Sequence, residues 1–376
     1  MSYGMTEEQE MIQSNTREFV AEFVAPLADS LDKSSEYPSA TVLKMADQGL
    51  LGLVVPAEFG GLEAGYLSFV ASIEELSYVS AATAAILVQH TVVAACIDRW
   101  GNAEQKERLL PSLASGDTLG SVALFEDGPK LGTGAEALIA RTHENGYLLK
   151  GTKTDVGNAG KAGVYLVFAT TEAGNGRKLT AFIVSADQEG FCVGPNTKCM
   201  GLHGYQSADI KFDDVFVSKE SILGELDGGS AVAAWTLALA AVAEAAETVG
   251  IVTTALKHAA AYSKQRVQFG RSISNFPAVQ IMLAGVAANC HATRLAVLDT
   301  AALIDQAKPF EAESAMVKLL ALNLGQESLC EVLQVEGGYG YSEEMKLARL
   351  YRDVAGTTLR NSPSEFPEKT IADSIV

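Results

Sequence analysis

Residues Tyr262–Ala284 read YSKQRVQFGRSISNFPAVQIMLA, and the end of one helix and the start of another inside this stretch decide how the chain is built. Going in, Ala255, Leu256, Ala259, Ala260 and Tyr262 recur at helical spacing. Gly270 breaks the run and Pro277 opens the next helix, so the spacing predicts a helix–loop–helix corner. At the corner stand Arg266, Gln268 and Phe269, a cation, an amide and an aromatic ring within four residues. That set suits a phosphate-bearing ligand with a flat ring system. On local evidence alone the plainer reading, a solvated Arg and a core Phe, is favoured.

Outward from the corner, helical spacing continues on both sides: Ala231–Gln265 before it, then Pro277–Gln306, Glu311–Gln334 and a last stretch from Ser342. At the other end, Thr6-Glu7-Glu8-Gln9 is a capping box, followed at helical spacing by Ile12, Phe19, Val20, Phe23, Val24 and Leu27. Further helices are expected near Ser39–Gln48, Tyr66–Tyr78, Ala81–Trp100 and Ala103–Leu113, with Gly49, Gly101 and Gly116 as stops. Between the helical ends lie short β-rich runs, Ser121–Leu124, Tyr147–Lys153, Val164–Thr170, Leu179–Val184 and Ala208–Val217. Asn145-Gly146 and Asn175-Gly176 are the hairpin signals. The expected organisation is α+β: helices over residues 1–118, a small β domain over 119–225, and a helical bundle over 226–376.

Composition narrows the class. A net charge of −18 argues against nucleic acid or anionic lipid as partner. Cys96, Cys192, Cys199, Cys290 and Cys330 are odd in number and contain no C-x-x-C pair, which fits reduced thiols without a zinc site. MSYGMTEEQE lacks a basic segment followed by an apolar one, so a cytoplasmic protein without a leader is expected. No membrane span is expected either; Ala231–Ala246 is apolar but short and carries Glu244.

R-V-Q-F-G followed by F-P-x-x-Q and I-M-L-A resembles the flavin-contacting signature of the acyl-CoA dehydrogenase family. A second string, Gln334-Val335-Glu336-Gly337-Gly338-Tyr339-Gly340-Tyr341, is similar to that family's Q-x-x-G-G-x-G-Y, and Leu350-Tyr351-Arg352-Asp353 follows it. The likeness runs from Met5 to about Ile371. It implies the acyl-CoA dehydrogenase fold: an N-terminal helical domain, a middle β-barrel-like domain and a C-terminal four-helix bundle. It also implies FAD as cofactor, an acyl-CoA as substrate, a tetramer, and an electron-transferring flavoprotein as acceptor. The weaker strings Val55–Gly61 and Gly101–Lys106 are explained equally well as plain turns and caps.

The resemblance places the residues unevenly. The family's chemistry needs a carboxylate to take the α-proton while hydride leaves for the flavin. In many members that carboxylate is the Glu of E-G-T-S-E, and the same position here is Asn361, an amide with no basic site near neutral pH. The alternative position on the long helix is Ala240, with Ala241 beside it. Glu244 and Glu247, one and two turns on, are candidate relocated bases, as is Asp155, and His90 near the implied acyl pocket is another. For each of the four the plainer reading is structural: a polar seam or subunit contact, a loop acid, a hydrogen-bonded core histidine. On the flavin-ring side, the family's A-x-T-E-P reads Ala123-Leu124-Phe125-Glu126-Asp127. Its G-T-K-x-W-I-T-N reads Gly151-Thr152-Lys153-Thr154-Asp155-Val156-Gly157-Asn158, so a shielding Trp is Asp155 and a ring-bonding Thr is Gly157.

In the resembled tetramers the ring-side segments hold a subunit's own flavin, while R-x-Q-F-G and Q-x-x-G-G-x-G-Y reach to the ADP half of a neighbour's. This chain has lost the first set and kept the second, so Arg266, Gln268, Phe269, Gln334, Gly337 and Gly338 are its expected cofactor residues. Three functions stay open. The chain is a partner subunit sharing FAD with a sister chain across an interface, a self-sufficient homotetrameric dehydrogenase or reductase on an unusual acyl-CoA, or a flavin-free scaffolding relative.

Overall fold

A computed structural model describes residues 4–127, 137–173, 176–343, 345–360 and 365–376. The chain opens with helices α1 (Glu7–Phe19), α2 (Ala28–Ser34), α3 (Ser39–Asp47), α4 (Gly65–Ser77), α5 (Ala81–Trp100) and α6 (Ala103–Ala114). The capping box at Thr6 is present: Gln9 N–H donates to Thr6 Oγ1 at 3.2 Å and Thr6 N–H donates to Gln9 Oε1 at 3.0 Å. A second box at Asn102 and Gln105 starts α6, so Gly101–Lys106 does work as a plain cap.

Strands follow: β1 (Gly120–Ala123), β2 (Ile139–His143), β3 (Gly146–Gly157), β4 (Val164–Ala173), β5 (Gly176–Ser185), β6 (Phe191–Val193) and β7 (Ser207–Ser218). The hydrogen-bonded path runs β1-β4-β2-β3-β7-β6, with β5 also on β4; β1 and β2 share one edge of β4 in parallel. The path curls without closing, so the expected barrel-like domain is a curled sheet. Strands β2 and β6 had no counterpart among the sequence expectations, being only five and three residues long. The hairpin turn is also displaced by one residue. His143 pairs with Gly146, which leaves Glu144-Asn145 as the turn. Gly146 belongs to the strand because a Cβ there would lie 2.1 Å from the Val217 carbonyl oxygen. Of the second hairpin signal, Asn175 lies outside the described residues.

The remainder is helical: α7 (Gly229–Gln265), a two-stranded hairpin of β8 (Val267–Gln268) and β9 (Arg271–Ser272), then α8 (Pro277–Asp305), α9 (Glu311–Glu336), α10 (Lys346–Leu359) and α11 (Glu365–Ile375). The 37 residues of α7 make a rod of roughly 55 Å. Its first half, with Leu239 and Val242, packs into the apolar cluster shared by α4, α5 and the sheet. Its second half, from Val249 to Ala259, packs into a separate cluster with α8, α9 and α10. Asp305, at the end of α8, accepts the Tyr66 and Leu67 N–H groups at 2.5 and 3.1 Å and so ties the bundle to the start of α4.

The expectation of no membrane span needs a correction. By length and composition three helices could cross a membrane: α5, α7 and α8. The apolar windows of α5 and α7 are 94% and 83% buried inside the protein, whereas that of α8 is only 28% buried. An uncovered apolar helix face on α8, carrying Ile281 at 71% exposure, is thus a feature of the surface.

Candidate functional site

The corner after α7 is a β-hairpin rather than a plain loop. Val267 pairs with Ser272 and Gln268 with Arg271, and the turn residues Phe269 and Gly270 have φ of 52° and 77°. A bulky residue in the left-handed region is strained, and Phe269 gains no burial in return: it is 93% exposed, so the core-Phe reading is wrong. Arg266 is exposed too, with its guanidinium 5.8 Å from the Tyr339 ring centroid. Tyr339 follows the end of α9, where Gly337 takes φ 60° and ψ −137°, a conformation essentially reserved for glycine.

Tyr262, Arg266, Gln268, Gln334, Gly337 and Gly338 line one open groove of about 500 Å³, so the structure brings together five of the six expected cofactor residues and places Phe269 at its rim. A Cβ added at Gly337 or Gly338 would meet nothing within 4 Å, which leaves their backbone open to close approach. Beneath them Glu336 is 3% exposed; its Oε1 takes His258 Nδ1–H at 2.7 Å, while its buried Oε2 has no hydrogen-bond partner among the described residues. An exposed cation and open glycine backbone fit the phosphates of a nucleotide's ADP half.

The region that the lost ring-side motifs would form is packed shut. Glu244 and Glu247, on one face of α7, are 1% and 0% exposed. Lys318 of α9 donates to Glu244 Oε2 at 2.6 Å and to the Arg360 carbonyl oxygen at 3.4 Å. Glu247 receives Thr357 Oγ1–H at 2.9 Å from α10 and pairs with the buried Arg360 guanidinium. Burial pushes the Glu247 carboxyl up to about 7, with Arg360 opposing. Burial acts to lower Arg360, but attraction to Glu247 and Glu244 outweighs it and holds the guanidinium above its ordinary value. Arg360 also lies over the Tyr205 ring, 5.3 Å from its centroid. A Cβ on Gly157 would fall 1.6 Å from Tyr205 Oη. Between Gln89, Val92, Leu124, Thr236 and Ala240 lies a cavity of about 10 Å³, room for one water. Among the described residues, Tyr205 thus takes the space beside Gly157 and leaves no room there for a flavin ring.

The other candidates are structural. Asp155 sits with φ 52° in a bulge between Lys153 and Val156, exposed, accepting from Ser207 Oγ. His90 is fully buried; its Nδ1 accepts Gly120 N–H at 3.1 Å and its Nε2–H donates to the Leu51 carbonyl at 3.1 Å. Burial lowers its pKa to about 4, so it is a neutral core histidine. The retained Glu126 and Lys153 pair with each other at 2.6 Å, out of solvent, and burial brings the lysine down to about 8. Asn361 lies outside the described residues. Sequence reasoning missed Lys318, Arg360, Tyr205 and Glu336. Lys318 had a signal, a lone cation in the apolar run AMVKLLAL; Tyr205 had none.

Comparison with known proteins shows the family and the fold. Models described as acyl-CoA dehydrogenase N-terminal, middle and C-terminal domains match residues 6–117, 128–215 and 227–376. A Bacillus subtilis protein named acyl-CoA dehydrogenase is 36% identical over 98% of both chains. The structure of butyryl-CoA dehydrogenase from Megasphaera elsdenii superposes with a TM-score of 0.94 at 30% identity, covering 100% of each chain. An acyl-CoA dehydrogenase complexed with FAD from Bacillus anthracis gives 0.91 at 27% identity, over 100% of this chain and 68% of that one.

Proposed function

This chain belongs to the acyl-CoA dehydrogenase family, and from that premise we propose that it is the non-catalytic partner in a heteromeric, flavin-dependent acyl-CoA dehydrogenase. The observation that carries the reading is the contrast within one fold. The groove at Arg266 and Gly337 is open and carries a cation beside bare glycine backbone, while the space near Gly157 is filled by Tyr205 and the Arg360–Glu247 pair. In this role Arg266 and the exposed glycine backbone hold the pyrophosphate of an FAD whose ring lies in a sister chain. The sister chain supplies the base and the acyl-CoA pocket. FAD, when bound, supplies the hydride acceptor for α,β-desaturation of an acyl-CoA thioester. The strained, exposed Phe269 and the uncovered face of α8 are the surfaces such a sister would cover, and an electron-transferring flavoprotein would then take the electrons.

The test is to express the chain alone and with its sister, and to measure flavin absorbance per subunit and turnover with an artificial acceptor. Little flavin alone, and about one flavin per pair of unlike chains in an active mixed tetramer, is the expected result. A colourless, inactive mixture would favour a flavin-free scaffold.

One observation favours the second reading, a self-sufficient enzyme. A carboxyl pushed up to about 7, as in Glu247, is poised for general-base work. Against it, both Glu247 oxygens are engaged, by Thr357 and Arg360, and nothing opens beside them. A yellow homotetramer oxidising an acyl-CoA unaided would reinstate Glu247.

A further inference from the structure

We infer that Tyr205 is the residue that keeps a flat, three-ring cofactor out of this chain's own site, and that Gly157 is glycine in order to admit it. The inference rests on the partner-subunit reading and adds the cause of the exclusion. Gly157 ends β3 without the positive φ that would call for glycine, so its missing Cβ serves space alone. The space is taken by one side chain: a Cβ there would lie 1.6 Å from Tyr205 Oη and 2.5 Å from Tyr205 Cζ, with Gln89 Cγ next at 3.1 Å. Even alanine is excluded while Tyr205 stays where it is.

Tyr205 is held there from both sides. Gly204, at φ 97°, and the Tyr205 N–H donated to the Leu202 carbonyl at 2.9 Å set the turn that aims the ring inward. Arg360 then covers the ring, and it is fixed by Glu247, itself fixed by Thr357. The phenol and guanidinium thus form a stacked plug, closed by a charge pair, beside the position where the resembled family bonds its flavin ring. An empty pocket would fill with water or with any flat ligand of the right size; this one is filled by the protein itself. The retention of the ADP-side groove and the exclusion of the ring then have separate physical causes, one in the glycine backbone and Arg266, the other in Tyr205.

The experiment uses the full chain expressed alone, with FAD as probe, followed by flavin fluorescence and by thermal unfolding. Gly157→Thr should lower Tm because its side chain collides with Tyr205, and Gly157→Thr/Tyr205→Ser should recover the wild-type Tm by returning the space. The double variant should also bind FAD at least about tenfold more tightly than the wild type. Tyr205→Leu, which keeps apolar bulk but withdraws the hydroxyl end, serves for the same titration if the serine variants lose their fold. An unchanged Tm in Gly157→Thr, or folded Tyr205 variants that bind FAD no better than the wild type, would overturn the role of Tyr205 and leave the partner-subunit reading standing. A wild-type chain that already retains one flavin and turns over acyl-CoA unaided would overturn both.

Discussion

The two ends of the bundle face opposite demands. At the end of α7 and α9 the chain displays what a folded protein normally hides: a fully exposed Phe269, an exposed Tyr341, bare glycine backbone and an orphaned Glu336 oxygen. Midway along the same α7 and α9 it hides what a protein normally displays, two carboxylates and two cations within a few ångströms of each other. The first arrangement is unfavourable for an isolated chain and favourable once something covers it. The second pairs its charges internally, although Arg360 Nε and Nη1 have no hydrogen-bond partner among the described residues. Each of the four charges there has a counter-charge, and the space beside Gly157 is filled by the Tyr205 side chain.

The largest effect that could break this comparison is expected inside the cluster. Glu247→Gln leaves Arg360 buried against an uncharged partner and should reduce unfolding free energy by roughly 3–5 kcal/mol in denaturant titration. Replacing both with leucine should cost much less than the sum of the single changes, because a buried ion pair is exchanged for apolar contact. A single variant as stable as the wild type would mean the pair is wet and the site is not core.

The second effect belongs to the rim. Arg266→Ala should loosen flavin retention in the assembled complex by about 1.5–3 kcal/mol, roughly tenfold to a hundredfold in Kd, by removing a charge-assisted phosphate contact. The Tm of the chain alone should not move, since the Arg266 side chain is exposed and its guanidinium lies over the Tyr339 ring. Unchanged flavin affinity would reduce Arg266 to a solvated cation. The smallest effect is a null one. Asn361→Glu should not create dehydrogenase activity, because Tyr205 and Arg360 still exclude the ring and Gly157, Phe125 and Asp155 still fail to hold it. Anaerobic mixing with an acyl-CoA and FAD checks this; prompt bleaching of the flavin would show that the missing carboxylate was the sole defect.

Much of the fold was legible because it rests on local rules. Periodicity, the Thr6 capping box, and the Gly and Pro stops put α3, α5 and α7–α9 within a few residues of where they stand. The expectations that failed were those in which a distant carbonyl or side chain decides. Gly146 is strand and not turn because Val217 leaves no room for a Cβ, and Phe269 is exposed because a two-stranded hairpin, not a loop, presents it. At the groove, Arg266, Gln334 and the glycines were legible as one motif that the structure joins, while Asn361 lies outside the described residues.

By itself, then, the sequence determined the order of helices and strands and the motif at the bundle corner, all properties of residues near one another in the chain. Only the tertiary structure decided what became of Glu244 and Glu247. Their partners Lys318 and Arg360 come from other helices, 74 and 113 residues further along the chain. Whether a buried carboxylate is a base or one half of an ion pair depends on that meeting in space, because the field of a neighbouring cation in a dry interior outweighs anything its own segment can specify.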